Sequence, residues 1–183
     1  AQENIENLRK YQFKHILAHC PHCFNTLKNE YPQFEGGQFD VVSHTQLILG
    51  LIESGRIKPQ LKQAEKVVFH DPCYMARYNN SVGTPRKILD AVGGITRVEN
   101  LQRGKTAMCC GAGGGQMWME SSTKKINFIR LTDLRRSAST VAVGCPHCLT
   151  MFESAMSEDK VLSGMDIEEL SEIVAKGLDN VQS

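Results

Sequence analysis

Short runs of aliphatic and β-branched residues alternate along this chain with stretches whose apolar positions recur at helical spacing. The runs predict strands over 14–19, 40–44, 66–70, 96–99 and 140–144. Val67-Val68-Phe69 and Val141-Ala142-Val143 are continuously apolar, the pattern of strands covered on both faces. The helical spacings predict helices over 21–30, 45–53, 85–92, 121–137, 146–156 and 166–178. Pro21 and Pro146 each stand just after a strand, in a first helical turn, where proline's fixed φ is pre-organised and its missing N–H has no bond to lose. In 121–137, Ile126, Ile129, Leu131 and Leu134 outline a partial core stripe; Lys124, Lys125, Arg130, Arg135 and Arg136 read as its solvated face. This alternation of strand and helix predicts an α/β fold: a Rossmann-like, open, mostly parallel sheet with helices on both faces. Functional loops are then expected at the carboxyl ends of the strands.

One segment is echoed within the chain. Ile16-Leu17-Ala18-His19-Cys20-Pro21-His22-Cys23-Phe24 matches Val141-Ala142-Val143-Gly144-Cys145-Pro146-His147-Cys148-Leu149. Each copy is followed by a strand-like segment and a helix, at 41–52 and 161–174, which aligns Ser43 with Ser163. Two copies of one unit are the reading. Residues 1–60 are expected to be the end of a first unit and residues 61–183 a complete second one, joined through the polar stretch 55–65. A start without methionine, on Ala1-Gln2-Glu3-Asn4, suits a piece of something longer, with no secretory leader.

With 41% hydrophobic residues in 183, the chain can bury a real core. The net charge of +1 offers no electrostatic footprint for nucleic acid, which is not expected as a partner. No run approaches the ~20 apolar residues of a membrane span.

The chemistry lies in the seven cysteines. Cys73 stands alone, Cys109 and Cys110 are adjacent before Gly111, and Cys145 and Cys148 close a Cys-Pro-His-Cys. Thiolates are ligands for iron–sulfur clusters and for soft zinc sites. These five exceed what one zinc or one simple cubane needs. Gly111 and Gly113 let the backbone approach a cluster closely and can offer N–H groups to its sulfides. Cys148 falls in a first helical turn, where free N–H groups favour thiolate. A zinc site made from four of these thiols and a dithiol redox site remain open alternatives.

The wording around these cysteines resembles a family. His70-Asp71-Pro72-Cys73-Tyr74, Cys109-Cys110-Gly111-Ala112-Gly113-Gly114-Gly115-Gln116-Met117-Trp118-Met119 and Gly144-Cys145-Pro146-His147-Cys148 are similar to the cysteine-rich CCG domain. That domain occurs in heterodisulfide reductase, in iron–sulfur subunits of anaerobic glycerol-3-phosphate dehydrogenase and glycolate oxidase, and in iron–sulfur oxidoreductases associated with electron-transfer flavoprotein. Cys20-Pro21-His22-Cys23 and its continuation to Pro32 resemble the end of a preceding CCG unit. The resemblance implies an iron–sulfur oxidoreductase working as part of a larger protein. It implies a [4Fe–4S] cluster of non-cubane type held by Cys73, Cys109, Cys110, Cys145 and Cys148. It implies electron transfer between a flavoprotein donor and a quinone or disulfide acceptor, at the cytoplasmic face of a membrane reached through other parts of the parent protein. Cys20 and Cys23 match only a closing pair, and on this reading hold no cluster alone.

The remaining candidates are weaker. His70 is a candidate to donate to a sulfide or to relay a proton, and equally reads as a strand-end histidine bonded to backbone. His22 and His147 lie inside the Cys-Pro-His-Cys loops and can tune the thiols. His19 and His44 read as strand-end residues. Met117, Trp118 and Met119 are expected to shield the cluster from water, and Arg77 and Tyr78 are candidates to meet an anionic substrate or a quinone.

Overall fold

A computed structural model describes residues 1–119 and 125–179. The chain folds as α1 (Gln2–Leu8), β1 (Ile16–Ala18), α2 (Pro21–Asn25), β2 (Val41–Ser43), α3 (His44–Glu53), β3 (Gln60–Phe69), α4 (Gly83–Ala91), β4 (Gly93–Val98), α5 (Ile126–Arg135), β5 (Thr140–Val143), α6 (Pro146–Glu158), β6 (Asp166–Glu169) and α7 (Leu170–Asp179). All strand pairs are parallel: β1 pairs β2 in a small sheet, and a second sheet runs β4-β3-β5-β6. This is the α/β architecture that the strand–helix alternation implies.

The apolar triplets divide their side chains between two faces, as alternate strand residues must. Val68, Val141 and Val143 join Leu131 and Leu134 of α5 and Met151, Phe152 and Ala155 of α6 in one core. Val67, Phe69 and Ala142 face the other way, onto Ile88 and Leu89 of α4 and Leu170, Ile173 and Val174 of α7. Phe152 is fully buried. No helix among the described residues is long and apolar enough to cross a membrane.

Several elements differ from the sequence reading. Strand β3 reaches back to Gln60, into the stretch read as connector. The predicted helix over 166–178 is a strand followed by a helix, and α1 has no counterpart among the predicted helices. Helix 21–30 is α-helical only to Asn25 and then widens into a π turn over Thr26–Glu30. The predicted helix over 121–137 is seen as α5; residues 121–124 lie outside the described residues. Its solvated face is wrong in one residue, since Arg130 is fully buried, and its stripe is wrong in two, since Ile126 and Ile129 are exposed.

The internal echo is structural, with a corrected alignment. Ala18 pairs with Ser43 at the end of the first sheet, and Val143 pairs with Glu169 in the second. The counterpart of Ser43 is therefore Glu169, not Ser163. Ser43 caps α3 through a reciprocal capping box with Gln46.

Candidate metal centre

The carboxyl ends of β1, β3, β4 and β5 deliver the cysteine-bearing segments. Cys20 and Cys23 follow β1, Cys73 follows β3, Cys109 and Cys110 follow β4 through a long connection, and Cys145 and Cys148 follow β5. Cys145 is the N-cap of α6 and Cys20 that of α2, each with proline next.

The thiols meet in one row. The sulfurs of Cys110 and Cys148 lie within 4.8 Å of one another, as do those of Cys145 and Cys20; thiol hydrogen bonding links Cys73 to Cys109, Cys109 to Cys110 and Cys148 to Cys145. The five thiols singled out from spacing are thus contiguous, and Cys20, after β1, extends the row. Cys110, Cys145 and Cys148 are buried, Cys73, Cys109 and Cys20 half-buried, and Cys23 exposed.

Proton affinity is uneven along this row: Cys109 and Cys145 are pulled down, while Cys73, Cys110, Cys148 and Cys20 are pushed up. Hydrogen bonds from Cys110 and then Cys73, with backbone N–H groups of Gly111 and Gly113, hold Cys109 far below the ordinary thiol value. Cys148, then Cys20, draw Cys145 down to about 4. Their neighbours move the other way. Cys109 pushes Cys110 up to about 12, Cys110 pushes Cys148 well up, and Cys145 pushes Cys20 up to about 11. Adjacent sulfurs this close cannot all carry charge, so they share protons, and a cation is what allows the rest to ionise.

Asp71 positions the loop that carries Cys73. Arg86 binds it bidentately, with Nη1 to Oδ1 at 2.7 Å and Nη2 to Oδ2 at 2.9 Å, and Gly104 N–H donates to Oδ2 at 2.7 Å. The backbone after Cys73 winds into a π turn over Tyr74–Tyr78, a distortion that recurs at functional sites. Arg77 from this turn donates through Nε to Lys105 O at 2.8 Å and through Nη2 to Ala107 O. It therefore ties the Cys73 loop to the segment before Cys109. Tyr78 is exposed and stacks on Tyr74 at 4.4 Å.

His70 is 1% exposed and follows β3. Arg130 Nε donates to His70 Nδ1 at 3.3 Å. A guanidinium only donates, so Nδ1 must accept and the hydrogen resides on Nε2. That Nε2 has no hydrogen-bond partner among the described residues, and a His70 nitrogen lies within 4.8 Å of the Cys110 and Cys148 sulfurs. Burial, then Arg130, lowers the His70 pKa to about 3, so the ring is neutral. A buried orphan donor facing thiols fits a centre in which those thiols are ligated thiolates, able to accept it.

Gly111 has a φ of +98°, and a Cβ there would stand 3.1 Å from Asn127 N and 3.3 Å from Met151 Cε. Its N–H donates to Cys109 Sγ at 3.3 Å. Gly111→Ala is expected to destabilise the chain by about 1–3 kcal/mol, from strain at positive φ; urea unfolding measures it, and an unchanged midpoint would show that the turn relaxes freely. A Cβ on Gly113 would lie 3.8 Å from Cys109 Sγ. The shielding role expected of Trp118 and Met119 does not hold. Trp118 is 84% exposed and Met119 57%; only Met117 packs against the core beneath the thiols.

His22 Nδ1 is 3.6 Å from Cys20 Sγ and 3.8 Å from Cys145 Sγ, and its ring meets His147 edge-on at 4.9 Å. Sequence reasoning names these histidines but gives no sign that they bring the two Cys-Pro-His-Cys loops together. It misses the Asp71–Arg86 clamp and the Arg130–His70 bond, whose partners are far apart in sequence and carry no local signal.

A parallel α/β scaffold with thiols gathered at its strand ends defines a cysteine-rich, metal-binding class of domain. The family model described as cysteine-rich domain, CCG, matches residues 1–28 and 67–153. The chain belongs to this family. It is 40% identical over 180 residues to the probable iron-sulfur-binding oxidoreductase FadF of Bacillus subtilis, covering 95% of this chain and 25% of that protein. It is 32% identical to the EtfAB:quinone oxidoreductase of Syntrophomonas wolfei, covering 97% and 26%. It is 30% identical to one of the subunits of the dihydromethanophenazine:CoB–CoM heterodisulfide reductase of Methanosarcina barkeri, covering 97% and 44%. The chain thus spans less than half the length of each of these relatives. No solved structure matches it.

Proposed function

We propose that this chain is the cluster-carrying part of an iron–sulfur oxidoreductase, with Cys73, Cys109, Cys110, Cys145 and Cys148 holding one [4Fe–4S]-type cluster. The observation that carries this reading is the unbroken row of thiols at the strand ends. The names of the relatives agree with it. The cluster supplies one-electron redox chemistry.

The chain's own residues do the rest. The Asp71–Arg86 clamp and the Arg77 tether hold the Cys73 loop against the Cys109 segment. The N–H groups of Gly111 and Gly113 and the Nε2–H of His70 donate toward ligating sulfur, which tunes the potential. Residues 61–183 form the complete unit on this reading, and residues 1–60 end a first one. The rest of the parent protein, a flavoprotein donor, and a quinone or disulfide acceptor are the proposed partners. The proposed place is the cytoplasmic side of a membrane, reached through other parts of the parent.

Anaerobic reconstitution with iron and sulfide tests the reading. Bound iron, acid-labile sulfide and broad visible charge-transfer absorption are expected. A colourless protein holding one zinc per chain would replace the reading by a zinc-stapled domain. The cluster is also expected to slow amide exchange over residues 109–119. Gly114 and Gly115 sit at φ of +65° and +77°, and a Cβ on either would meet no atom of the described residues within 4 Å, so little described packing restrains them without it. Equal exchange with and without iron would mean that protein packing alone holds this loop.

A further inference from the structure

A second convergence of metal-binding side chains lies apart from the five-cysteine set. His19, His44 and Glu169 bring one donor atom each to within 4.8 Å of one another. His19 follows β1, His44 opens α3 directly after β2, and Glu169 ends β6. Three strand ends, from both units, therefore build the cluster. His19 Nε2 stands 3.3 Å from Glu169 Oε2 without hydrogen-bond alignment. Two ligands on one tetrahedral ion, with bonds of about 2.0–2.2 Å, sit roughly 3.3–3.5 Å apart. The His44 ring lies 4.6 Å from that of His19, tilted by 50°.

The cluster is short of partners. Among the described residues neither ring nitrogen of His44 and neither carboxylate oxygen of Glu169 has a well-aligned hydrogen bond, although the two residues are only 6% and 4% exposed; the backbone of Ala18 and His19 beside His44 and of Leu170 beside Glu169 offers weaker contacts. Buried polar atoms are almost always satisfied. Here an imidazole and a carboxylate, neither with a well-aligned hydrogen bond, converge with a second imidazole, and a shared cation would satisfy all three. His19 is half exposed, and both histidines line a cleft with about 70 Å³ of room for water, bordered also by Ser43, Tyr74 and Asn79. That gives an ion a route in and water to complete its coordination.

The internal repeat argues against a mere packing role. His19 and His44 occupy the positions of Gly144 and Leu170 in the second unit, and Glu169 that of Ser43. The shared scaffold is built in the other unit without any of these side chains.

We propose that His19, His44 and Glu169 form a divalent transition-metal site, of the zinc and cobalt class, that joins the two units. Two imidazoles and one carboxylate suit such an ion better than magnesium or calcium, which prefer oxygen. Bound there, the ion neutralises the buried Glu169 and ties β6 to β1 and α3.

Anaerobic titration of the reduced chain with Co²⁺ alone tests this. Thiolate-bound cobalt adds intense near-ultraviolet charge transfer; cobalt on imidazole and carboxylate adds visible d–d bands without it. One equivalent of the second kind is expected beyond whatever the cysteines take. Loss of an outer-shell partner already weakens metal sites about 10–100-fold, so loss of a ligand is expected to weaken this equivalent at least about 100-fold. His44→Asn and Glu169→Gln should do so with the charge-transfer bands unchanged. His19→Ala, at a half-exposed position, serves should the buried variants fail to fold. Cobalt uptake that ends with the charge-transfer signal, or a His19→Ala chain that binds the extra equivalent as the unsubstituted chain does, overturns the site; the trio is then held by a shared proton. The outcome is independent of the iron–sulfur reading, whose failure would show as absent iron on reconstitution.

Discussion

Cys145→Ser/Cys148→Ser is expected to cut reconstituted iron at least about tenfold, since ligands are removed outright and cluster retention depends on every thiolate. These residues are 0% and 3% exposed and sit in the middle of the row, with Cys110 on one side and Cys20 on the other. Cys20→Ser/Cys23→Ser is expected to keep its iron. Cys23 is exposed, and Cys20 meets the five-thiol set only at one end, through Cys145. Iron and sulfide analysis of both variants, with circular dichroism as the fold control, decides between them. Equal loss in the two would show that the ligand set crosses the units and that their division near residue 60 does not describe the centre.

Arg130→Met is expected to destabilise the chain by about 3–5 kcal/mol, the usual consequence of removing one partner from a buried charged network. The guanidinium is fully buried and uses all its nitrogens: Nε to His70 Nδ1 at 3.3 Å, Nη1 to Asp133 Oδ2 at 2.8 Å and Asn100 Oδ1 at 3.2 Å, and Nη2 to Gln102 O at 2.9 Å. Burial lowers its pKa, and Asp133 and Asp71 oppose that shift. Methionine fills similar space but leaves Asp133 without its cation and His70 Nδ1 without a donor. Arg130→Met/Asp133→Leu is therefore expected to recover part of the loss, because the stranded charge is gone. Urea unfolding reports both. A single variant within about 0.5 kcal/mol of the parent, the range of ordinary surface changes, would mean that the buried network contributes nothing net.

The chain announces its cysteines and its layers locally. Val67-Val68-Phe69 and Val141-Ala142-Val143 predict strands sandwiched between helices, and the structure sends alternate residues of both into opposite cores. Pro21 and Pro146 mark helix starts because proline's constraint acts within one turn. The adjacent Cys109 and Cys110, the lone Cys73 and the closing Cys145 and Cys148 are readable because each motif is a few residues long. Pattern fails where the outcome depends on residues far apart. Asp166–Glu169 form a strand because β5 offers an unpaired edge, not because their own polar sequence asks for it. Arg130 looks like a surface charge among its helical neighbours, yet acceptors from residues 70, 100, 102 and 133 surround it and make burial tolerable. Trp118, expected to cover the centre, is left in solvent by the turn that carries it. The sequence by itself determined which thiols are present, the strand and helix periods, and the repeat. Tertiary structure alone decided that Cys20 meets Cys145, which nitrogen of His70 carries the hydrogen, and that His19, His44 and Glu169 converge. Local propensity acts over one or two turns of chain, whereas these contacts exist only once the strand ends of two units are brought together.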